Sequence, residues 1–315
     1  MTAPLPLIID TDPGIDDALA LLLAARWRRA DLRSVTVTYG NTTLDRGTRN
    51  ARIILDRAPS TTAVIAGADR PLVRELITAK ETHGAEGLGD HSAPAAAHVA
   101  PSGSAILEAL RRSPGPVTLV TLGPLTNLAL ALRNDSALVR SRVSRHVAMG
   151  GSLKARGTAT VEAEFNVWCD PEATDEVVRA GLASEFVGLD VTRQLVIPAA
   201  AVHKLATHAD ADARWLGALL GFYVRFHEEY EGLRGAVIND PLAIALAVEP
   251  SWGRLEQFSI QVDLTSGPSR GRTAATESGP GHSAGFYTSF DLGAVHGLLL
   301  DHLFGRWLSR ADFNP

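Results

Sequence analysis

Four aspartates fall within eight residues near the start of the chain: Asp10, Asp12, Asp16 and Asp17, in the run Ile8-Ile9-Asp10-Thr11-Asp12-Pro13-Gly14-Ile15-Asp16-Asp17. That much like charge in a small space is costly unless a cation offsets it, and a hard divalent metal held by oxygen ligands is the simplest remedy. The plainer alternative is that Asp16 caps a helix and the others are solvated turn residues. One or two aspartates fit that alternative easily. Four of them astride a strand-to-helix junction point to a site.

Elements must deliver these carboxylates. The apolar stretch at residues 5–11 reads as a buried strand, Pro13-Gly14 breaks it, and residues 16–28 read as a helix whose N-terminus favours the negative charge of Asp16 and Asp17. The same alternation continues: strands at 32–39, 62–66, 117–122, 146–149 and 185–189, with helices at 44–57 and after Pro124. Near-continuous Val/Ile/Leu strands separated by helices predict an α/β fold, a Rossmann-like, mostly parallel open sheet covered on both faces. Ligands bind outside the carboxyl ends of such strands, and the long loops at 67–102 and 151–166 are placed to fold over that rim. The second half changes character. A long aromatic-rich helix at 209–231 and a helix at 241–248 are followed by strands at 255–262, 272–276 and 285–289 and a closing helix at 292–308. No linker divides the halves, so residues 1–315 read as one domain with a C-terminal helical and short-strand elaboration.

Bulk composition narrows the function class. With 45% hydrophobic and 21% charged residues the chain is ordinary for a globular protein, and a net charge of -5 with no basic block argues against nucleic acid or an anionic membrane as partner. The lone cysteine, Cys169, permits no intrachain disulfide, which suits a reducing cytoplasm. No basic segment precedes the first apolar stretch, so no secretory leader is expected, and no apolar run approaches the roughly 20 residues of a membrane span.

The motifs along the chain resemble, in order, those of the inosine-uridine preferring nucleoside hydrolases. Asp10-Thr11-Asp12-Pro13-Gly14-Ile15-Asp16-Asp17-Ala18 resembles the family's N-terminal signature. Gly40-Asn41, His83-Gly84-Ala85-Glu86-Gly87-Leu88-Gly89, Leu122-Gly123-Pro124-Leu125-Thr126-Asn127, Met149-Gly150-Gly151, Ala163-Glu164-Phe165-Asn166, Asp170-Pro171-Glu172-Ala173 and Asp240 follow in the family's order. One such segment is weak evidence; the ordered set is strong.

The resemblance implies calcium-dependent hydrolysis of ribonucleosides to ribose and free base, through an oxocarbenium-like transition state. It implies calcium ligands Asp12, Asp17, Asp240 and the carbonyl of Leu122, with Asp12 also the general base toward a metal-activated water. On the ribose it places Asp16 at the 2′-hydroxyl, Asn41 and Asn166 alongside, Glu164 and Phe165 toward the 5′ side and Met149 against the sugar. Asp10 then supports the others from behind. It also implies a homodimer or homotetramer acting on a small-molecule nucleoside in nucleoside salvage.

Two departures bear on specificity. Many relatives carry His just before the C-terminal Asp, where it helps the base leave; here the residue is Asn239, which can donate a hydrogen bond but not act as an acid. His83, His227 and Tyr230 are the candidates for that task, each with an ordinary helix or loop role as its alternative. The other departure is Thr158, where relatives have an Asn at the 5′-hydroxyl. Two other classes compete. A magnesium-dependent haloacid-dehalogenase-like phosphohydrolase also has Asp-x-Asp after a strand, but it wants a downstream Lys, and the three lysines, Lys80, Lys154 and Lys204, have no such setting. A non-catalytic nucleoside- or ribose-binding protein is conceivable with Asn239, although Asp12, Asp16, Asp17 and Asp240 are all present.

Overall fold

The computed structural model describes residues 3–276 and 281–313. The first half alternates as its sequence does. β1 (Leu5–Thr11), α1 (Ile15–Arg26), β2 (Ala30–Val37), α2 (Leu44–Leu55) and β3 (Ala63–Ala66) lead through short α3 (Lys80–His83) and α4 (Ala105–Arg112) to β4 (Val117–Thr121). Then come α5 (Thr126–Arg142), β5 (Val143–Met149), α6 (Phe165–Cys169), α7 (Pro171–Arg179) and β6 (Glu185–Val187). Next are α8 (Leu189–Thr192), β7 (Val196–Pro198), α9 (Ala199–Ala206), α10 (Ala211–Tyr230), β8 (Gly235–Val237) and α11 (Asp240–Val248). β9 (Gly253–Val262), β10 (Thr273–Thr276), β11 (His282–Phe290) and α12 (Leu292–Leu299) complete the order.

Among the described residues, nine strands form one sheet in the order β10-β9-β11-β6-β5-β4-β1-β2-β3, and β7 pairs separately with β8. From β11 to β3 every pairing is parallel; only β9 and β10 are joined by antiparallel pairings, at one edge. The chain winds outward from β1 through β2 to β3, then returns to β4 on the other side of β1 and winds through β5 to β6. The junction of β1 and β4 is therefore the topological switch point, where the carboxyl ends of neighbouring strands diverge and leave a crevice.

Both faces of the sheet are covered, and the strands alternate accordingly. Leu7, Ile9, Val120 and Leu122 enter one core, while Ile8 and Leu119 enter the other. α1 is buried from Ile15 to Ala24 and α11 from Asp240 to Val248. A helix that is apolar all round is a core helix, so α1 and α11 pack together and bring Asp16, Asp17 and Asp240 to one place.

The structure differs from the sequence reading in several elements. The loop at 67–102 contains α3, and the one at 151–166 runs into α6. β5 begins at Val143, not at His146, and the strand expected at 285–289 extends over His282–Phe290 because it pairs on both sides, with β6 and with β9. The closing helix ends at Leu299. A wide turn follows over Leu300–Phe304, closed by Gly305 N–H donating to the Leu300 carbonyl at 2.6 Å. Among the described residues, no helix is long and apolar enough to cross a membrane.

Candidate active site

The strand-to-helix turn after β1 is built to hold carboxylates away from water. Asp10 and Asp12 sit on opposite sides of Thr11, and Asp10, Asp12 and Asp17 have no exposed surface. Asp10 is anchored behind the rest. Its Oδ1 accepts from Thr36 and, at 2.8 Å, from Asn127 Nδ2, while burial raises its pKa to about 7. Its Oδ2 has no partner, and it does not line the cleft. Asp17 accepts from the Thr11 hydroxyl, from Gly14 N–H at 2.9 Å and from Asn41 Nδ2 at 2.8 Å. Burial, and next the charge of Asp16, raise its pKa to about 6.

Asp12 is held at one oxygen only. Its Oδ2 accepts from the Asn41 backbone N–H at 2.7 Å, whereas the buried Oδ1 has no partner among the described residues. Burial first, then the charge of Asp17, push its pKa well above the carboxylate range. Gly40 and Gly123 make room for it: a Cβ at either position would collide with its carboxylate, and Gly40 has φ +152°, where side chains are strained.

Carboxylate oxygens of Asp16, Asp17 and Asp240 lie within 4.8 Å of one another, all three buried. Burial raises the pKa of Asp240 well above its ordinary value, reinforced by the charges of Asp16, Asp17 and Asp12. The triad thus contains Asp16, which the sequence reading places on the ribose, and Asp12 stands beside it. Three clustered carboxylates, the unpartnered Asp12 Oδ1 and the nearby Leu122 carbonyl form an all-oxygen donor set that fits a hard divalent cation. Such an ion would offset the like-charge repulsion that adds to burial in raising these pKa values.

The cleft above this cluster is lined by Asp16, Asn41, His83, Leu122, Met149, Thr158, Glu164, Phe165, Asn166, His227, Asn239 and Asp240. Glu164 caps α6: its two oxygens accept from Asn166, Val167 and Gly151 N–H at 2.8–3.1 Å. Asn166 Nδ2 donates to the Leu122 carbonyl at 2.7 Å and to the Met149 carbonyl at 3.2 Å, which ties β4 and β5 to this cap. Thr158 Oγ1 accepts from Phe165 N–H at 3.1 Å. Asp170 caps α7. Asn239 donates to Asp16 Oδ2 from both its backbone and its side-chain amide, each at 3.2 Å.

On the base side, His83 Nδ1 accepts from Ile15 N–H at 3.1 Å, which leaves the ring proton on Nε2, and burial lowers its pKa to about 4. Tyr230 is not brought to the cleft. It is 64% exposed and packs on Phe226. The tyrosine that does enter is Tyr223, two turns earlier on α10, whose hydroxyl donates to Asp16 Oδ1 at 2.7 Å. Tyr223, Phe226 and Glu231 line the cleft but are absent from the sequence reading. The spacing of Tyr223, His227 and Glu231, four residues apart each time, was the available signal that they share a helix face.

A mostly parallel sheet with a carboxylate-lined, cation-fitting cleft at its switch point defines an α/β enzyme. The family model described as inosine-uridine preferring nucleoside hydrolase matches residues 7–296. The chain is 37% identical over 252 residues to a pyrimidine-specific ribonucleoside hydrolase, RihA, of Salmonella enteritidis, covering 78% of this chain and 80% of that one. It is 34% identical over 286 residues to the inosine-uridine preferring nucleoside hydrolase of Crithidia fasciculata, covering 88% and 89%. A solved plant nucleoside hydrolase superposes with a TM-score of 0.85 at 29% identity, covering 94% of this chain and 98% of that one. The chain belongs to the inosine-uridine preferring nucleoside hydrolase family and is an N-glycosyl hydrolase of the ribonucleoside hydrolase class.

Proposed function

We propose that this protein is a calcium-dependent enzyme that splits ribonucleosides into ribose and free base, with Asp12 as general base. The observation that carries the reading is the orphaned Asp12 Oδ1, buried beside three clustered carboxylates at the carboxyl edge of the sheet. Asp12, Asp17, Asp240 and the Leu122 carbonyl would hold the ion, with Asp16 close enough to join them. Bound there, the ion supplies Lewis acidity, lowering the pKa of an attacking water and gripping ribose hydroxyls.

The chain's own groups do the rest. Asp12 Oδ1, which lacks a hydrogen-bond donor among the described residues, takes the water's proton. Asp16 accepts from the 2′-hydroxyl while Tyr223 and Asn239 hold both of its oxygens in place. Asn41 and Asn166 border the ribose, Met149 packs against it, and Glu164, Phe165 and Thr158 close the 5′ side. We read residues 1–315 as a single nucleoside hydrolase domain, since one sheet takes strands from both halves. The single, unpaired cysteine suits a reducing cytoplasm, and a homodimer or homotetramer there is part of this proposal. Uridine satisfies the names of both relatives and inosine that of one, so these are the first substrates to assay. Reducing-sugar release from a nucleoside panel tests the reading; release from uridine, inosine or a related nucleoside is expected, and release from none overturns it.

A further inference from the structure

We infer that His227 is the acid that protonates the departing base, and that Glu231, held by Arg193, favours its charged form. This inference rests on the ribohydrolase reading and names the group that stands in for an acid at position 239.

The other candidates are already committed. Asn239 is not an acid, and one of its two side-chain N–H donors is already held by Asp16. Tyr223 gives its hydroxyl proton to Asp16. Glu164 has both oxygens on backbone N–H groups. His83 is pinned at Nδ1 by Ile15 and is too weakly basic to hold a proton at neutral pH. Tyr230 lies outside the cleft.

His227 differs from all of these. Its ring is buried in the cleft wall, with the residue 6% exposed, yet among the described residues its Nδ1 makes no hydrogen bond of good geometry. It stands in the last turn of α10, where the helix carbonyl end favours a cation. One turn on, Glu231 also lines the cleft, and its Oε1 lies 3.4 Å from Arg193 Nη2. Charged groups act on His227 from several sides. Burial lowers its pKa, and the cations Arg193 and protonated His83 would oppose its charge; Glu231, the Tyr223 backbone carbonyl and Asp16 favour it. The rings of Tyr223 and Phe226 meet it edge-on, at 5.1 and 5.5 Å, and fix its plane.

In the step, the C1′–N bond breaks with its electron pair passing to the base nitrogen. The imidazolium of His227 gives that nitrogen a proton and becomes neutral. Water adds hydroxide to C1′ and gives its other proton to Asp12. Solvent then returns one proton to His227 and accepts one from Asp12.

The test compares two kinds of leaving group. A nucleobase needs a proton to depart, whereas 4-nitrophenolate leaves as the anion. With His227→Gln, kcat/KM for uridine or inosine should fall about 100-fold or more, while that for 4-nitrophenyl β-D-ribofuranoside should change by less than about threefold. Glu231→Gln should move the basic limb of the nucleoside kcat/KM profile to lower pH. Equal losses on both substrates, no loss on nucleosides, or an unmoved basic limb would overturn the assignment. Failure of the wild-type enzyme to cleave any riboside would instead remove the reading on which it rests.

Discussion

At the residue scale, the chemistry depends on keeping one carboxylate short of partners. Asp12 has a donor at Oδ2 and none at Oδ1, in a slot bounded by two glycines. Asp12→Asn should lower nucleoside turnover about 100-fold or more, the ordinary contribution of a general base; steady-state assays showing near wild-type turnover would remove Asp12 from its role. Gly40→Ala adds a Cβ at a strained φ and drives it into Asp12, so it should cost about 1–3 kcal/mol of stability and most of the activity together. Thermal melts and assays on the same preparation check this. The aspartates were legible because four carboxylates crowded into eight residues repel one another unless a cation or a ligand sits among them. Tyr223 was not. It and Tyr230 are seven residues apart, nearly on the same helix face, so periodicity cannot choose between them. Only the tertiary structure decides: Tyr223, Phe226, His227 and Glu231 line the cleft, whereas Tyr230 packs on Phe226 and stays exposed.

At the scale of elements, the central strands are joined by more than their ladders. His146 on β5 bridges Thr121 of β4 at 3.0 Å and Ser184, just before β6, at 2.8 Å. Burial holds its pKa down, from 6.5 to about 3. The folded state therefore binds fewer protons there than the unfolded chain, so the stability from a neutral His146 is present above about pH 6.5 and lost as pH falls toward 3. The loss amounts to roughly 1.4 kcal/mol per pH unit below about 6.5. His146→Gln should be less stable than wild type at pH 7, with a gap in Tm that narrows steadily toward pH 4; a constant gap contradicts this. The strands and helices of the first half were legible because long apolar runs and breakers set them locally. The paired β7 and β8, short α4 and α9, and the wide turn after Leu299 were not, because tertiary contact and not local pattern stabilises them.

At the scale of the molecule, the site exists only because the topology closes it. Asp16 meets Asn239 across 223 residues of sequence, and nothing local in either segment specifies that contact. The parallel sheet could be read from the alternation of elements. The placement of β1 between β2 and β4, which makes the crevice, is a property of strand order that the alternation leaves open. A cation bound across α1 and α11 should stabilise the whole fold: at calcium about 100-fold above its Kd the gain is about 2.7 kcal/mol, a rise in Tm on the order of 5 °C. Differential scanning fluorimetry should show that rise in wild type and lose it in Asp240→Asn, and the absence of any rise in wild type contradicts a calcium site there.

The most direct measurement combines cleavage and cation in one experiment. Wild-type protein is incubated with uridine or inosine in phosphate-free buffer, and ribose and free base are quantified before chelation, after it and after calcium is restored. Equal amounts of ribose and base, lost on chelation and recovered with calcium, are expected. Release that persists through chelation, or no release from either nucleoside in the presence of calcium, would contradict a calcium-dependent ribohydrolase built on Asp12.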